Sequence, residues 1–255
     1  MVTLAHKKFK ILLIGDNCID TYVYGSITRL SPEAPVPIFE PIHEIVKNGM
    51  AGNVANNLES LNCEVTFIHS ENCEKKRLID KKTKQHLLRI DNDVSCKSIE
   101  KSHIDKHTLY EYDALIISDY NKGTVTSSMV EWLRQEYQGP IFIDTKKTDL
   151  NKFNGCFIKI NQLERSLAKT LPDSQYLIVT LGEQGVEYME NIIRTDNSNS
   201  VVDVCGAGDT FLSALVYQYL NTKDIHKSII FANKAAGITV KHVGVYAPTL
   251  EEIEA

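Results

Sequence analysis

The sequence predicts an α/β protein with a mostly parallel sheet and helices on both faces. Three observations predict it: six short runs rich in Ile, Val, Leu and Phe, helical stretches between them, and near-continuous apolarity within each run. Strands buried on both faces read this way, whereas a strand with one wet face alternates. Strand–helix alternation in turn favours a parallel sheet covered on both sides.

Strands are expected at 9–15 (FKILLIG), 64–68 (EVTFI), 113–118 (DALIIS), 140–144 (PIFID), 156–160 (CFIKI) and 176–181 (YLIVTL). A helix is expected at 50–61, where Ala51, Val54, Ala55, Leu58 and Leu61 recur at three- and four-residue intervals with Asn62 as a stop. Another is expected at 222–241, where Ile225, Ile229, Ala232, Ala236 and Val240 share a face, and further helices at 124–137 and 207–220. Two stretches break the alternation. Residues 21–46 carry extended pieces around SPEAPVP, whose prolines at 32, 35 and 37 forbid a helix interior. Residues 76–91 read as a hairpin turning at KKTK. A small β-lid made from these two pieces is the simplest account; two long loops are the alternative.

The composition, 43% hydrophobic and 24% charged, is that of a globular chain. No apolar run is long enough for a ~30 Å hydrocarbon core, and the opening MVTLAHKKFKILLIG has too short an apolar stretch for a secretory leader. No membrane partner is expected. A net charge of −5 argues against a nucleic-acid partner. Six cysteines without a C-x-x-C pair read as reduced thiols of a cytoplasmic protein.

In open α/β sheets ligands bind outside the carboxyl ends of the strands. Polar residues stand there: Asp16 with Asp20 after the first strand, Asp119-Tyr120-Asn121-Lys122-Gly123 after the third, Asp144-Thr145-Lys146 after the fourth, and Asn161 after the fifth. Turn and helix caps would explain any one of them alone. The sharpest local feature is Asp203-Val204-Cys205-Gly206-Ala207-Gly208-Asp209-Thr210, running into an apolar helix. Its small residues let the backbone approach a ligand closely, and amides opening a helix favour an anion. A carboxylate there repels an anion unless it has other work, such as accepting a proton from a hydroxyl attacking a phosphoryl group. Asn161 and Glu164 fit either a capping box or a site for hydrated Mg²⁺ and phosphate. Thr180, Gly182 and Gly185 form a glycine-spaced turn suited to a hairpin or to packing against a flat ligand.

Together these pieces resemble the ribokinase/PfkB family of carbohydrate kinases over nearly the whole chain. The pieces are GDNCIDTYVYGSITRLSPEAPVPIFE, NGMAGNVANNLESL, LLRID, ISDYNKG, IDTKKTD, N-x-x-E, VTLGEQG, DVCGAGDT and FANKAAG. SPEAPVP and DYNKG favour the branch acting on D-glycero-D-manno-heptose 7-phosphate, on the route to ADP-heptose and lipopolysaccharide. The resemblance implies a ribokinase-like kinase domain over 1–255, a β-lid from about 21–46 and 76–91, and a homodimer through that lid. It implies ATP and Mg²⁺ as cofactors and a small sugar phosphate as partner. It makes Asp209 the catalytic base and the Gly206, Ala207 and Gly208 amides the anion hole. It places Asp16, Asp20 and Asn53 at sugar hydroxyls, and Arg89 with the SPEAPVP loop near the sugar phosphate. It assigns Asn161, Thr180, Gly182, Gly185, Asn233 and Lys146 to the nucleotide, and Glu164 to Mg²⁺ through water. Another sugar or sugar phosphate as acceptor, and a non-catalytic binding homologue, are the alternatives. A Rossmann dehydrogenase fits poorly, since no G-x-x-G follows Gly15. The sequence departs from the family in Met50 for the second Gly of a Gly-Gly pair, Cys205 for Thr, segments missing after Ile68 and before Val201, and no nucleotidyltransferase half.

Overall fold

The computed structural model describes residues 8–93, 95–195 and 201–255. The start of the opening segment (1–7) and the residues immediately before Val201 (196–200), on which two of the expectations above bear, lie outside the described residues. In chain order the strands are β1 (Lys10–Gly15), β2 (Asn17–Leu30), β3 (Pro37–Met50), β4 (Glu64–Ile68), β5 (Asn72–Asp80), β6 (His86–Asn92), β7 (Ala114–Asp119), β8 (Ile141–Thr145), β9 (Phe157–Asn161), β10 (Leu177–Thr180), β11 (Val186–Tyr188) and β12 (Asn191–Ile193). The helices are α1 (Ala51–Ser60), α2 (Ser127–Glu136), α3 (Gln162–Leu167), α4 (Ala207–Thr222), α5 (Ile225–Thr239) and α6 (Leu250–Glu254).

The main sheet has the order β12-β11-β10-β9-β8-β7-β1-β4 and is parallel from β4 to β10, with β11 and β12 added antiparallel. Its central strands are largely apolar because alternate residues feed two cores. Ile11, Leu13 and Ile116 pack with α1, α4 and α5, while Leu12, Ile14 and Ile117 pack with α2. Each such side chain contributes about 1.5–3 kcal/mol relative to exposure. The six expected strands and four expected helices are all present. The three-residue strands β11 and β12 and the short helix α6 were not foreseen, being too short for a periodic signal, and α3 was indicated only by the Asn161–Glu164 capping pattern.

The second sheet has the order β3-β2-β5-β6. β2 and β3 are 14 residues each and pair antiparallel from Asn17↔Met50 to Leu30↔Pro37, so the sheet reaches well beyond 21–46 at the end nearest β1 and α1. Only Asp16 separates β1 from β2, and β3 runs directly into α1. Chain order reverses about β1, which lies between β4 and β7. That switch point is where open α/β sheets hold ligands, and the second sheet rises beside it. Among the described residues, no helix is long and apolar enough to cross a membrane.

Candidate active site

Gly206 starts α4 at φ +79°, a left-handed conformation that glycine adopts without strain. A Cβ there would sit 2.9 Å from Asn53 Nδ2. This turn buries Asp209, in the first turn of α4, at the inner end of a cleft of about 560 Å³. Asn53 Nδ2 donates to Asp209 Oδ2 (2.7 Å), and the Tyr120 hydroxyl donates to Asp209 Oδ1 (3.1 Å). Burial pushes the Asp209 carboxyl up to about 6; Asp144 adds to the rise, while the Asn53 and Tyr120 hydrogen bonds and Lys159 oppose it. A base that ionises near neutrality suits general-base work. Of the expected anion hole, the Ala207 amide is turned to the Val204 carbonyl (3.3 Å), so it serves the loop in this conformation.

The cleft walls are cations already paired with carboxylates. Lys159, buried in β9, binds Asp144 at 2.8 Å, and its Nζ lies 2.9 Å from where a Cβ of Gly208 would be. Burial disfavours the Lys159 ammonium, but the Asp144 charge and hydrogen bond outweigh it and hold it protonated. Lys146 pairs with Glu164 and lies 5.4 Å above the Tyr120 ring. Asn161 and Glu164 form a reciprocal capping box at α3, each accepting the other's backbone N–H at 2.8 Å. The capping reading therefore holds, yet Asn161 also lines the cleft.

Thr180 and Gly182 link this cleft to a smaller cavity of about 200 Å³, walled by Val204, Phe211, Ala236 and Val240, with Gly185 and Asn233 at its edge. Gly185, at φ +100°, closes the β10–β11 hairpin where a Cβ would strike the Ile193 carbonyl at 2.2 Å. Gly182 has open space above it.

A third cavity, of about 510 Å³, lies between the second sheet and the 203–205 loop. Lys47, Arg77, Lys84 and Arg89 line it beside Tyr22 and Tyr24. Arg77 donates to Asp20 (2.6 Å) and covers the Tyr22 ring at 5.0 Å. Burial pushes the Tyr22 phenol up to about 12, and its buried hydroxyl has no hydrogen-bond partner.

Two expectations require correction. Asp16 is fully buried, and its carboxylate accepts the backbone N–H of Lys122 (3.1 Å) and of Thr124 (3.2 Å). It fixes the 120–124 turn and presents nothing to a sugar. Asp20, buried on β2, holds Arg77, and Arg77 lines the third cavity. The SPEAPVP turn joins the far ends of β2 and β3 and contributes to none of these cavities. Six residues of strand beyond Tyr24 carry it roughly 20 Å away. Arg89 does face the third cavity, paired with Asp91 at 2.8 Å.

Sequence reasoning named Asp144 only as a strand-end residue, and passed over Tyr120 as a single residue, Lys159 and Arg77. Lys159 carried a signal, being a lysine inside a strand otherwise apolar on both faces, where a charge needs a partner. Met50 takes φ +51°, which explains a glycine preference at that position, and packs with Cys18, Cys73, Cys96 and the Tyr120 ring.

Residues 152–253 match the model of the pfkB family carbohydrate kinases. The bifunctional protein HldE of Nitratiruptor sp. is 34% identical over 302 aligned positions, covering 97% of this chain and 64% of that protein. HldE of Helicobacter acinonychis is 34% identical, covering 96% and 65%. The chain thus spans about two-thirds of the length of these relatives, and because the aligned positions outnumber its 255 residues, they carry internal segments that it lacks. Ribokinase from Thermotoga maritima superposes with a TM-score of 0.71 at 19% identity, covering 96% of this chain and 98% of that one. Ribokinase of Arabidopsis thaliana, solved with ribose and ATP, superposes at 0.68 with 12% identity, covering 97% and 98%. Residues 152–253 thus carry the signature of a pfkB carbohydrate kinase domain, within a chain whose fold is ribokinase-like.

Proposed function

We propose that the chain is an ATP-dependent sugar kinase phosphorylating D-glycero-D-manno-heptose 7-phosphate at C1. The observation that carries the reading is Asp209: a buried carboxylate with a pKa near 6, in the first turn of a helix, lining the cleft beside Gly208, which the cleft shares with the small apolar cavity. Asp209 accepts the proton of the acceptor hydroxyl, the hydroxyl oxygen forms its bond to the γ-phosphorus, and the bond to the β–γ bridging oxygen breaks to release ADP. Little covalent chemistry falls to the protein; it positions the reactants in line and stabilises charge.

The small apolar cavity with Asn233 suits an adenine, and the adjoining polar cleft suits its phosphates, with Asn161, Thr180, Gly182, Gly185 and Lys146 as nucleotide contacts. Glu164, whose partners Asn161 and Lys146 line the cleft, and the buried, unpartnered Asp144 Oδ1 would suit a hydrated Mg²⁺, which binds through one or two carboxylates and substrate phosphates. When bound, the ion supplies charge neutralisation for the phosphates. Lys159 sits beneath Gly208, where it adds positive charge under the transferring group. The third cavity supports an acceptor that is itself phosphorylated, because Lys47, Lys84 and Arg89 outnumber the carboxylates there and Tyr22 offers an unused donor. Asp20 and Asn53 hold sugar hydroxyls. The second sheet serves as a lid that excludes water as a competing acceptor. Exposed Ile27, Ile42, Ile45, Leu88 and Ile90 on that sheet support a homodimer through it. Use of ATP and six cysteines outside any disulfide support a cytoplasmic location.

Met50 and the missing segments favour one second reading: the same chemistry on another sugar phosphate. A panel of phosphorylated and unphosphorylated sugars assayed with ATP and Mg²⁺ separates the two. Turnover of heptose 7-phosphate above all others is expected. Turnover of only fructose or ribose derivatives would transfer the assignment to the second reading, and no turnover with any sugar would remove both.

A further inference from the structure

The 120–124 turn is the part of the site with no assigned work, yet it is held with more hydrogen bonds than a connection needs. The Asp16 carboxylate, fully buried, receives the N–H of Lys122 and Thr124 from one side. The Asp119 carboxylate, also buried, receives the Asn121 N–H (2.9 Å), the Thr145 hydroxyl (2.7 Å) and the Lys147 ammonium (2.5 Å) from the other. Asn121 at φ +59° and Gly123 at φ +119° make the bend. Two buried carboxylates spent on one turn imply that its position matters. The one side chain it delivers to the cleft is Tyr120, whose ring rests on the cluster of Cys18, Met50, Cys73 and Cys96 and is covered by Lys146. Its hydroxyl ends on Asp209.

We propose that Tyr120 is a positioning residue for Asp209, and that Asp16 belongs to the same device by fixing the turn that carries it. This rests on Asp209 being the base. Tyr120 donates to one carboxylate oxygen and Asn53 to the other, so the carboxylate has a single orientation, while each oxygen keeps a lone pair for the acceptor hydroxyl. Both donors also favour the ionised form against the burial that opposes it. The other charged or titratable groups around the carboxylate are Asp144 from β8, Lys159 from β9 and Cys205 from the preceding loop. None of them lies on the 120–124 turn. Tyr120 itself stays neutral, since burial and the adjacent carboxylates hold its phenol well above the usual range. It serves as a donor and does not exchange its proton with substrate.

The test is Tyr120→Phe, which keeps the ring on its apolar seat and under Lys146 but removes the donor. The acid limb of kcat/KM is expected to move up by about half a pH unit or more. Near neutral pH kcat should fall about tenfold, while ATP affinity by calorimetry stays within twofold of the wild type. A second variant, Asn53→Ala, should move the limb in the same direction from the other oxygen. The Asp209 carboxyl carbon, assigned by its loss in Asp209→Asn, should show the same upward change in an NMR titration, which reads the effect without turnover. An unchanged titration and acid limb in Tyr120→Phe, with Asp209→Asn inactive, would overturn the role of Tyr120 alone. Full turnover in Asp209→Asn would instead overturn the base assignment on which it rests.

Discussion

The cleft over the main sheet and the cavity under the second sheet both present lysine and arginine, but they handle charge differently. In the cleft both lining lysines are neutralised in place: Lys159 by Asp144 and Lys146 by Glu164. Under the second sheet Arg77 has Asp20 and Arg89 has Asp91, while Lys47 reaches only the Val245 carbonyl and Lys84 lies over the Tyr24 ring. A nucleotide that arrives with a metal ion brings its own positive charge, and paired walls give it orientation. An acceptor phosphate arrives without one and needs cations from the protein. Under the proposed function, this difference distinguishes the nucleotide's cleft from the cavity for the acceptor phosphate.

The largest expected effect breaks the cleft side. Asp209→Asn should lower kcat by about 10³-fold or more while calorimetry shows ATP binding within a few-fold of the wild type. Next, Gly208→Ala places a methyl 2.9 Å from Lys159 Nζ. Because that ammonium is buried against Asp144, it has little room to yield, and kcat/KM for ATP should fall about ten- to a hundredfold. On the other side, the double variant Lys84→Met, Arg89→Met should raise KM for a phosphorylated sugar about tenfold and leave KM for ATP unchanged. A matching rise in KM for ATP would dissolve the distinction between the two cavities.

The smallest effect is on stability and has the opposite sign. The Asp209 pKa is raised from 3.8 unfolded to about 6 folded, so between those values the folded state binds the extra proton and stability falls as pH rises. Above about 6 the full penalty remains. Asp209→Asn should therefore be more stable than the wild type at pH 7, on the order of 1–3 kcal/mol by urea unfolding, and should lose that advantage near pH 4.

The main sheet was legible because a strand buried on both faces writes its whole length in apolar residues, as Leu12–Ile14 and Leu115–Ile117 do. The second sheet was only half legible. Asn17–Asp20 and Lys47–Met50 look like loop, yet they pair because β1 and α1 hold both ends of the ribbon in register. The glycine-rich turn and the proposed base stood out in Gly206–Asp209, where residue size and charge conflict openly. Asp16 was misread because an acidic residue at a strand end looks the same whether it serves a ligand or a turn; only the position of the 122 and 124 amides decides. Arg77 was lost among the lysines of its hairpin, where nothing local shows that one cation faces inward.

The most direct test follows phosphate itself. With ATP, Mg²⁺ and heptose 7-phosphate, ³¹P NMR should show a new sugar phosphate resonance growing as the γ-phosphate disappears, in the wild type and not in Asp209→Asn. No new phosphate ester from the wild type, or the same rate of growth in Asp209→Asn, would contradict the account of this site.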